Sequence, residues 1–224
     1  MLNPVYADPA HLGQLADFLE RHGVAVLPQL LDPATLAFLQ AEVRRLRPLA
    51  RQRDFVMPGW NTPRRLATLG AAALGRAASV LPDLGAEASV LRMVRAVTRD
   101  PAARPADHQH ERAALNLQEA GGTHGWHLDD PPWALAILLE EPEAGGALEL
   151  APGWTGGITD ASGVVGLKAV ALRAGDGYLL RADRTLHRVA EVERGQRAAL
   201  SLAFQGAEPV VYGGTSDALH AGEV

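Results

Sequence analysis

Arg197-Ala198-Ala199-Leu200-Ser201-Leu202-Ala203-Phe204 alternates along its whole length. In extended chain Ala198, Leu200, Leu202 and Phe204 share one face, and Arg197, Ala199, Ser201 and Ala203 share the other. Such a strand packs against apolar neighbours on one side and lines an interior on the other. Before it, short apolar segments recur between Gly, Pro and Asp: Glu111–Gln118, Trp133–Glu140, Ala147–Ala151, Lys168–Arg173, Tyr178–Leu180 and His187–Val192. This even spacing predicts an antiparallel barrel or sandwich from about residue 106 to about 208. In the first segment Ala113, Leu115 and Leu117 form the apolar face, and His110, Arg112, Asn116 and Gln118 the inner, polar one. Glu111 then lies outside. A slip of one residue would turn it inward and make a cationic ligand attractive there.

The part before about residue 105 reads mostly helical. Asp8-Pro9 and Asp32-Pro33 are start signals, each a capping carboxylate followed by a first-turn proline. Leu12, Leu15, Ala16 and Leu19 follow the first at helical spacing, and Leu36, Leu39, Val43 and Leu46 the second. Gly23 ends the first helix, and Val24–Leu27 is a short apolar strand. Residues 51–63, with charges, Pro58, Gly59 and Pro63, are expected to form a loop; Arg64–Leu69 is a candidate strand, and Ala86–Thr98 a third helix. No linker separates the helical and stranded parts, so residues 1–224 are expected to form one α+β domain with the N-terminal helices on one face and a loose C-terminal tail.

Composition narrows the chemistry. The 224 residues are 47% apolar and 21% charged, as in an ordinary soluble globular chain. A net charge of −5 offers no attraction to nucleic acid or an anionic membrane. No run approaches the roughly 20 apolar residues of a membrane span, and the first residues lack a basic segment followed by an apolar core, so a cytoplasmic location is expected. There are no cysteines, which leaves His, Asp and Glu for any metal. Lys168 is the only lysine available for Schiff-base chemistry.

Three features converge on such a metal. His124-Gly125-Trp126-His127-Leu128-Asp129-Asp130 places His127 and Asp129 two apart, so that both project to one side of an extended chain. His187 opens a later strand, and Arg197 stands ten positions beyond it. Two histidines and a carboxylate form a facial triad, which leaves adjacent positions open on iron(II) for a chelating cosubstrate and dioxygen. A guanidinium farther in suits the distal carboxylate of 2-oxoglutarate.

From Gly122 to Phe204 the chain resembles the iron(II)/2-oxoglutarate-dependent oxygenases. The likeness lies in His127-x-Asp129, Gly145-Gly146-Ala147-Leu148, Gly175-Asp176-Gly177, His187-Arg188-Val189 and Arg197-x-x-x-Ser201. It implies a double-stranded β-helix, or jelly-roll (cupin-like), core. It also implies iron(II), 2-oxoglutarate and O2 as cofactor and cosubstrates, with His127, Asp129 and His187 as catalytic metal ligands. His124-Gly125-Trp126-His127-x-x-Asp130 and Thr62-Pro63-Arg64-Arg65 are similar to the free-amino-acid halogenases, lysine halogenases among them, and their hydroxylating relatives. That likeness implies His124, Asp130 and Arg64 as contacts to the charged groups of an amino acid, although Arg64 and Arg65 are not distinguished. Halogenating members carry glycine at the carboxylate position of the triad. Asp129 stands there instead, so hydroxylation is expected rather than halogenation.

Other outcomes have their own sequence expectations. The same chemistry could serve another small metabolite or a carrier-bound substrate, or end in desaturation. A cupin-like metalloenzyme independent of 2-oxoglutarate would use the same ligands but have no use for Arg197, and a non-enzymatic barrel would have no use for the triad. Asp107-His108-Gln109-His110-Glu111 reads as a polar entry loop, Trp126 and Trp133 as packing residues, and the Gly-rich residues 152–166 as a lid or a long connection.

Overall fold

The computed structural model describes residues 1–151, 154–156, 164 and 168–221; most of the stretch 152–166, expected as a lid or a long connection, lies outside them. Both Asp-Pro signals start helices. Asp8 caps α1 (Pro9–His22) by accepting from the Ala10 N–H, and Asp32 caps α2 (Pro33–Leu46) by accepting from the Thr35 N–H. Gly23, at φ 74°, closes α1 in the left-handed conformation that glycine adopts without strain. It leads directly into β1 (Val24–Leu27).

Residues 51–63 differ from their reading as a loop. They begin with β2 (Arg51–Met57), which forms a hairpin with β3 (Thr62–Gly70). Arg51, Gln52, Asp54 and Val56 are exposed on β2, so burial imposes no apolar pattern on it. α3 (Ala71–Arg76) follows at once, its first N–H groups donating to the carbonyls of His110 and Gln109. α4 (Ala88–Thr98) starts close to the predicted place, with the Glu87 carboxylate as its cap.

The stranded part comprises β4 (Arg104–Pro105), β5 (Ala113–Glu119), β6 (Thr123–His127), β7 (Trp133–Glu140), β8 (Ala144–Gly145), β9 (Leu148–Ala151), β10 (Lys168–Val170), β11 (Gly177–Arg181), β12 (Leu186–Val189), β13 (Val192–Arg194) and β14 (Gln196–Gln205). Their order is β1-β11-β7-β14-β5-β3-β6-β12-β9-β10, with β2 on β3 and β4 on β14; β8 and β13 pair separately. The sheet curls at β3. Its Ala67–Gly70 pair with β5, whereas Arg64 and Arg65 pair with His124 and Thr123 of β6. The result is a curled antiparallel half-barrel with helices against one outer face.

Alternation sorts the two faces as the sequence predicts. Leu115, Leu117, Leu135, Ile137, Leu200, Leu202 and Phe204 join Leu19, Leu39, Val43, Val90 and Val94 of the helices in one buried core. The residues between them, Ala114, Asn116, Gln118, Ala134, Ala136, Arg197, Ala199, Ser201 and Ala203, line the concave face. Five of these nine are alanines, whose small side chains leave room inside the barrel. Beyond β14 the chain is not simply a tail: α5 (Thr215–Leu219) lies against β2 and reaches the mouth of the same concavity.

Candidate active site

The concavity is a cavity of about 130 Å³, and every residue singled out from the sequence as a site residue lines it: His124, His127, Asp129, Asp130, His187, Arg197 and Arg64. β6 and β12 are paired with His127 opposite His187, which sets the two rings 4.2 Å apart between centroids. Asp129 leaves the end of β6, its backbone N–H donating to Ala182 O. One ligand atom from each of His127, Asp129 and His187 lies within 4.8 Å of the others. His127 Nε2 is 3.5 Å from one Asp129 oxygen, and His187 Nε2 is 3.9 Å from the other.

Backbone carbonyls orient both histidines. His127 Nδ1–H donates to Gly125 O at 2.7 Å, and His187 Nδ1–H donates to Thr185 O at 2.9 Å. A carbonyl can only accept, so each ring keeps its Nε2 lone pair free toward Asp129. Burial, then the proximity of His187, His124 and Arg64, pushes the His127 pKa well below its usual range, which favours the neutral ring a metal needs. Burial raises the Asp129 pKa, against the pull of His187 and Arg64. The donor set, two neutral imidazoles and one carboxylate facing a common point, fits an octahedral cation with open positions.

Gly125 makes this arrangement possible. A Cβ there would stand 2.9 Å from Pro63 O and 2.8 Å from Thr62 Cβ, so β6 can approach β3 closely only without a side chain. The same Gly125 carbonyl accepts from Arg64 at 3.2 Å. In a Gly125→Ala protein the carbonyl shifts, and affinity for a divalent metal is expected to fall about 10- to 100-fold, as when other ligand-orienting partners are lost. Isothermal titration with a divalent metal checks this.

Two arginines stand in the cavity wall. Arg197 is 3% exposed and donates to Gln118 Oε1 at 2.9 Å, while its Nε and the Gln118 Nε2 have no hydrogen-bond partner among the described residues. Among the described residues no carboxylate pairs with it, and burial lowers its pKa. Burying a lone cation is costly, so an anion is the natural complement here. Arg64, 1% exposed, donates to Thr62 Oγ1, Pro63 O and Gly125 O, and its Nε has no partner among the described residues; burial holds its pKa down to about 10. Arg65 lies on the opposite face of β3 and pairs with Glu191 at the surface. The structure thereby separates two arginines that the sequence does not.

His124 stacks on His127, 4.3 Å between ring centroids, and burial followed by the Arg64 charge pushes its pKa well down. Asp130 lies in the bend after β6, where its Oδ2 accepts from Gly213 N at 2.8 Å. Trp126 and Trp133 are buried in apolar clusters, as expected of packing residues.

The Glu111 register differs from the sequence reading. β5 begins only at Ala113, and residues 108–112 form a turn in which His108 Nδ1 accepts from the His110 and Glu111 N–H groups. Glu111 faces the cavity, and Arg112 is exposed. Burial, with Asp129, Asp130 and Asp217 adding repulsion, pushes the Glu111 pKa up to about 8. Thr215, Leu219 and His220 also line the cavity. Sequence reasoning passed over them, because a five-residue helix shows too little periodicity to be seen.

The halogenase D family model matches residues 7–221. A search of curated proteins gave no match. Among solved structures, the epimerase SnoN in complex with Fe3+, α-ketoglutarate and nogalamycin RO is 23% identical, with a TM-score of 0.69 over 89% of this chain and 85% of that one. HygX from Streptomyces hygroscopicus, bound to nickel, 2-oxoglutarate and hygromycin B, is 16% identical, with a TM-score of 0.65 over 89% of each chain. EctD from S. alaskensis, with 2-oxoglutarate and 5-hydroxyectoine, is 21% identical, with a TM-score of 0.63 over 86% of this chain and 75% of that one. These likenesses establish the jelly-roll fold of the 2-oxoglutarate–iron(II) oxygenases.

Proposed function

The chain belongs to the halogenase D family, and from that premise we propose that it is an iron(II)/2-oxoglutarate-dependent hydroxylase of a free amino acid with a cationic side chain. Three ligand atoms within 4.8 Å, in one cavity with a buried arginine that no carboxylate among the described residues pairs with, support this reading most directly. His127, Asp129 and His187 would hold the metal. The guanidinium of Arg197, oriented by Gln118, would take the distal carboxylate of 2-oxoglutarate. Burial pushes the Tyr178 pKa to about 12, so its phenol stays protonated in the same wall. When bound, iron(II) and 2-oxoglutarate supply dioxygen activation and C–H oxidation, with succinate and carbon dioxide as coproducts.

The remaining polar groups match a zwitterion. Arg64 and His124 face the cavity from paired positions on β3 and β6 and suit a carboxylate. Asp130 suits the α-ammonium, and Glu111 a second cation on the side chain. A cavity of about 130 Å³, roofed in part by α5, suits a free small molecule better than a carrier-bound one. Asp129 fills the metal position that chloride would need, so the product gains oxygen and no chlorine even in chloride buffer; mass spectrometry reads this.

Anaerobic titration with iron(II) and 2-oxoglutarate should give a weak visible charge-transfer band that is absent in His187→Ala. Succinate release on adding free amino acids then reports the substrate class. No band with iron bound would overturn the 2-oxoglutarate assignment.

Glu111 gives a pH signature. Its carboxyl is mostly protonated at pH 7 in the ligand-free protein, because its pKa stands near 8. A cationic side chain needs the carboxylate, so the KM for such a substrate should fall as pH rises from 6 to 8. Glu111→Gln should raise that KM at least about tenfold at pH 8, as expected for loss of a charge-assisted bond, and flatten its pH dependence. Without substrate, the raised pKa means that the folded protein keeps a proton the unfolded chain has released between about pH 4.5 and 8. Stability from this group is lost as pH rises, and Glu111→Gln should melt higher than wild type at pH 8 but not at pH 4.

A further inference from the structure

The cavity is closed on one side by the last residues of the described chain, not by the barrel. Gly213 N–H donates to Asp130 Oδ2 at 2.8 Å, so the segment is fastened one residue from the proposed metal ligand Asp129. Ala218 and Leu219 pack onto the cluster of Met57, Trp60, Trp126 and Leu186. Arg53 donates to Ala221 O at 2.9 Å. Between these anchors His220, 3% exposed, lies flat on His110, with ring centroids 4.9 Å apart and planes 9° from parallel. His110 immediately precedes Glu111, and His220 and Glu111 line the same cavity.

We propose that His220 is a specificity-determining residue: stacked on His110, it forms the wall beside Glu111 and sets how long a substrate side chain can be. The inference rests on the hydroxylase reading above. A buried ring that stacks on His110 and follows directly on the Leu219 anchor has little room to yield, so side-chain length is read by a hard boundary. A side chain too short would leave its cation away from Glu111. One too long would meet the stacked rings, and the reacting carbon would shift relative to the metal ligands. The C-terminal segment and the 108–112 turn together, rather than the strands, then define the far end of the substrate.

The test uses the iron-loaded enzyme with 2-oxoglutarate and a series of amino acids: 2,4-diaminobutyrate, ornithine, lysine and arginine. Succinate release and hydroxylated product are both measured. In His220→Ala the preferred member should lose about 10- to 100-fold in kcat/KM, the range for altered pocket contacts. The rank order should move toward a longer side chain, and more succinate should form without product. The charge-transfer band and the KM for 2-oxoglutarate should stay unchanged. His220→Phe, which retains a stacking ring, should keep the wild-type rank order and serves as the conservative rescue if the alanine variant is unstable. An unchanged rank order in His220→Ala, or a changed one in His220→Phe, would overturn this inference alone. A wild-type enzyme that forms the band but answers to no cationic amino acid would overturn it together with the substrate assignment.

Discussion

In an Arg197→Met protein, the dissociation constant for 2-oxoglutarate should rise by about 30-fold or more while iron(II) binding stays within about twofold of wild type. The size follows from truncating one partner of a desolvated charge pair, which costs about 2–5 kcal/mol. Arg197 is buried, tied by a neutral amide rather than a carboxylate, and leaves Nε open. Among the described residues no carboxylate pairs with its charge, which leaves an anionic ligand as the fitting complement. The same substitution should raise the melting temperature of the ligand-free protein, because an unpaired buried cation is replaced by an apolar chain of similar length. Greater stability with poorer cosubstrate binding is a combination that a merely structural arginine does not give. Titration of the visible band with 2-oxoglutarate, beside calorimetry of the ligand-free protein, reads both. Unchanged 2-oxoglutarate affinity would remove Arg197 from the site.

Asp129→Gly should lower hydroxylation by more than about 100-fold. Partners that only orient a ligand cost 10- to 100-fold when lost, and Asp129 is placed as a ligand itself. It is the acidic member of the group within 4.8 Å, so its removal takes away both a donor and the negative charge. His127 and His187 keep their carbonyl partners, and their rings should remain in place. Weakened but measurable iron binding with hydroxylation lost is the expected pattern. Product formation within a few-fold of wild type would mean that the metal is held by other residues.

The strands were legible where burial imposed alternation. β5 and β14 each present one face to the helices and one to the cavity, and their sequences say so residue by residue. The triad was legible because a His-x-Asp pair and a later strand histidine need only extended geometry to face one another. β2 was not, since an edge strand with exposed side chains carries no apolar rhythm. The Glu111 register is hidden from the sequence for a different reason. A side-chain acceptor, His108 Nδ1, holds two backbone N–H groups in a turn, and that local bond displaces the start of β5 to Ala113. Arg64 and Arg65 differ only in which face of β3 they occupy, and the pairing of β3 with both β5 and β6 decides that. Tertiary placement, not local preference, also brings His220 to the cavity.

The carbonyl oxygen of Gly125 serves two donors: it accepts from the ring of His127 and from the guanidinium of Arg64. One oxygen thus stands behind a proposed metal ligand and behind a proposed substrate contact. A guanidinium drawn toward an incoming anion would loosen its hold on that oxygen, and the ring, its other claimant, would then gain a stronger acceptor and a more electron-rich Nε2. With a metal on His127 and an anion on Arg64, the two subsites would be linked through a single peptide unit, and linkage is reciprocal: by whatever factor the anion tightened the metal, the metal would tighten the anion.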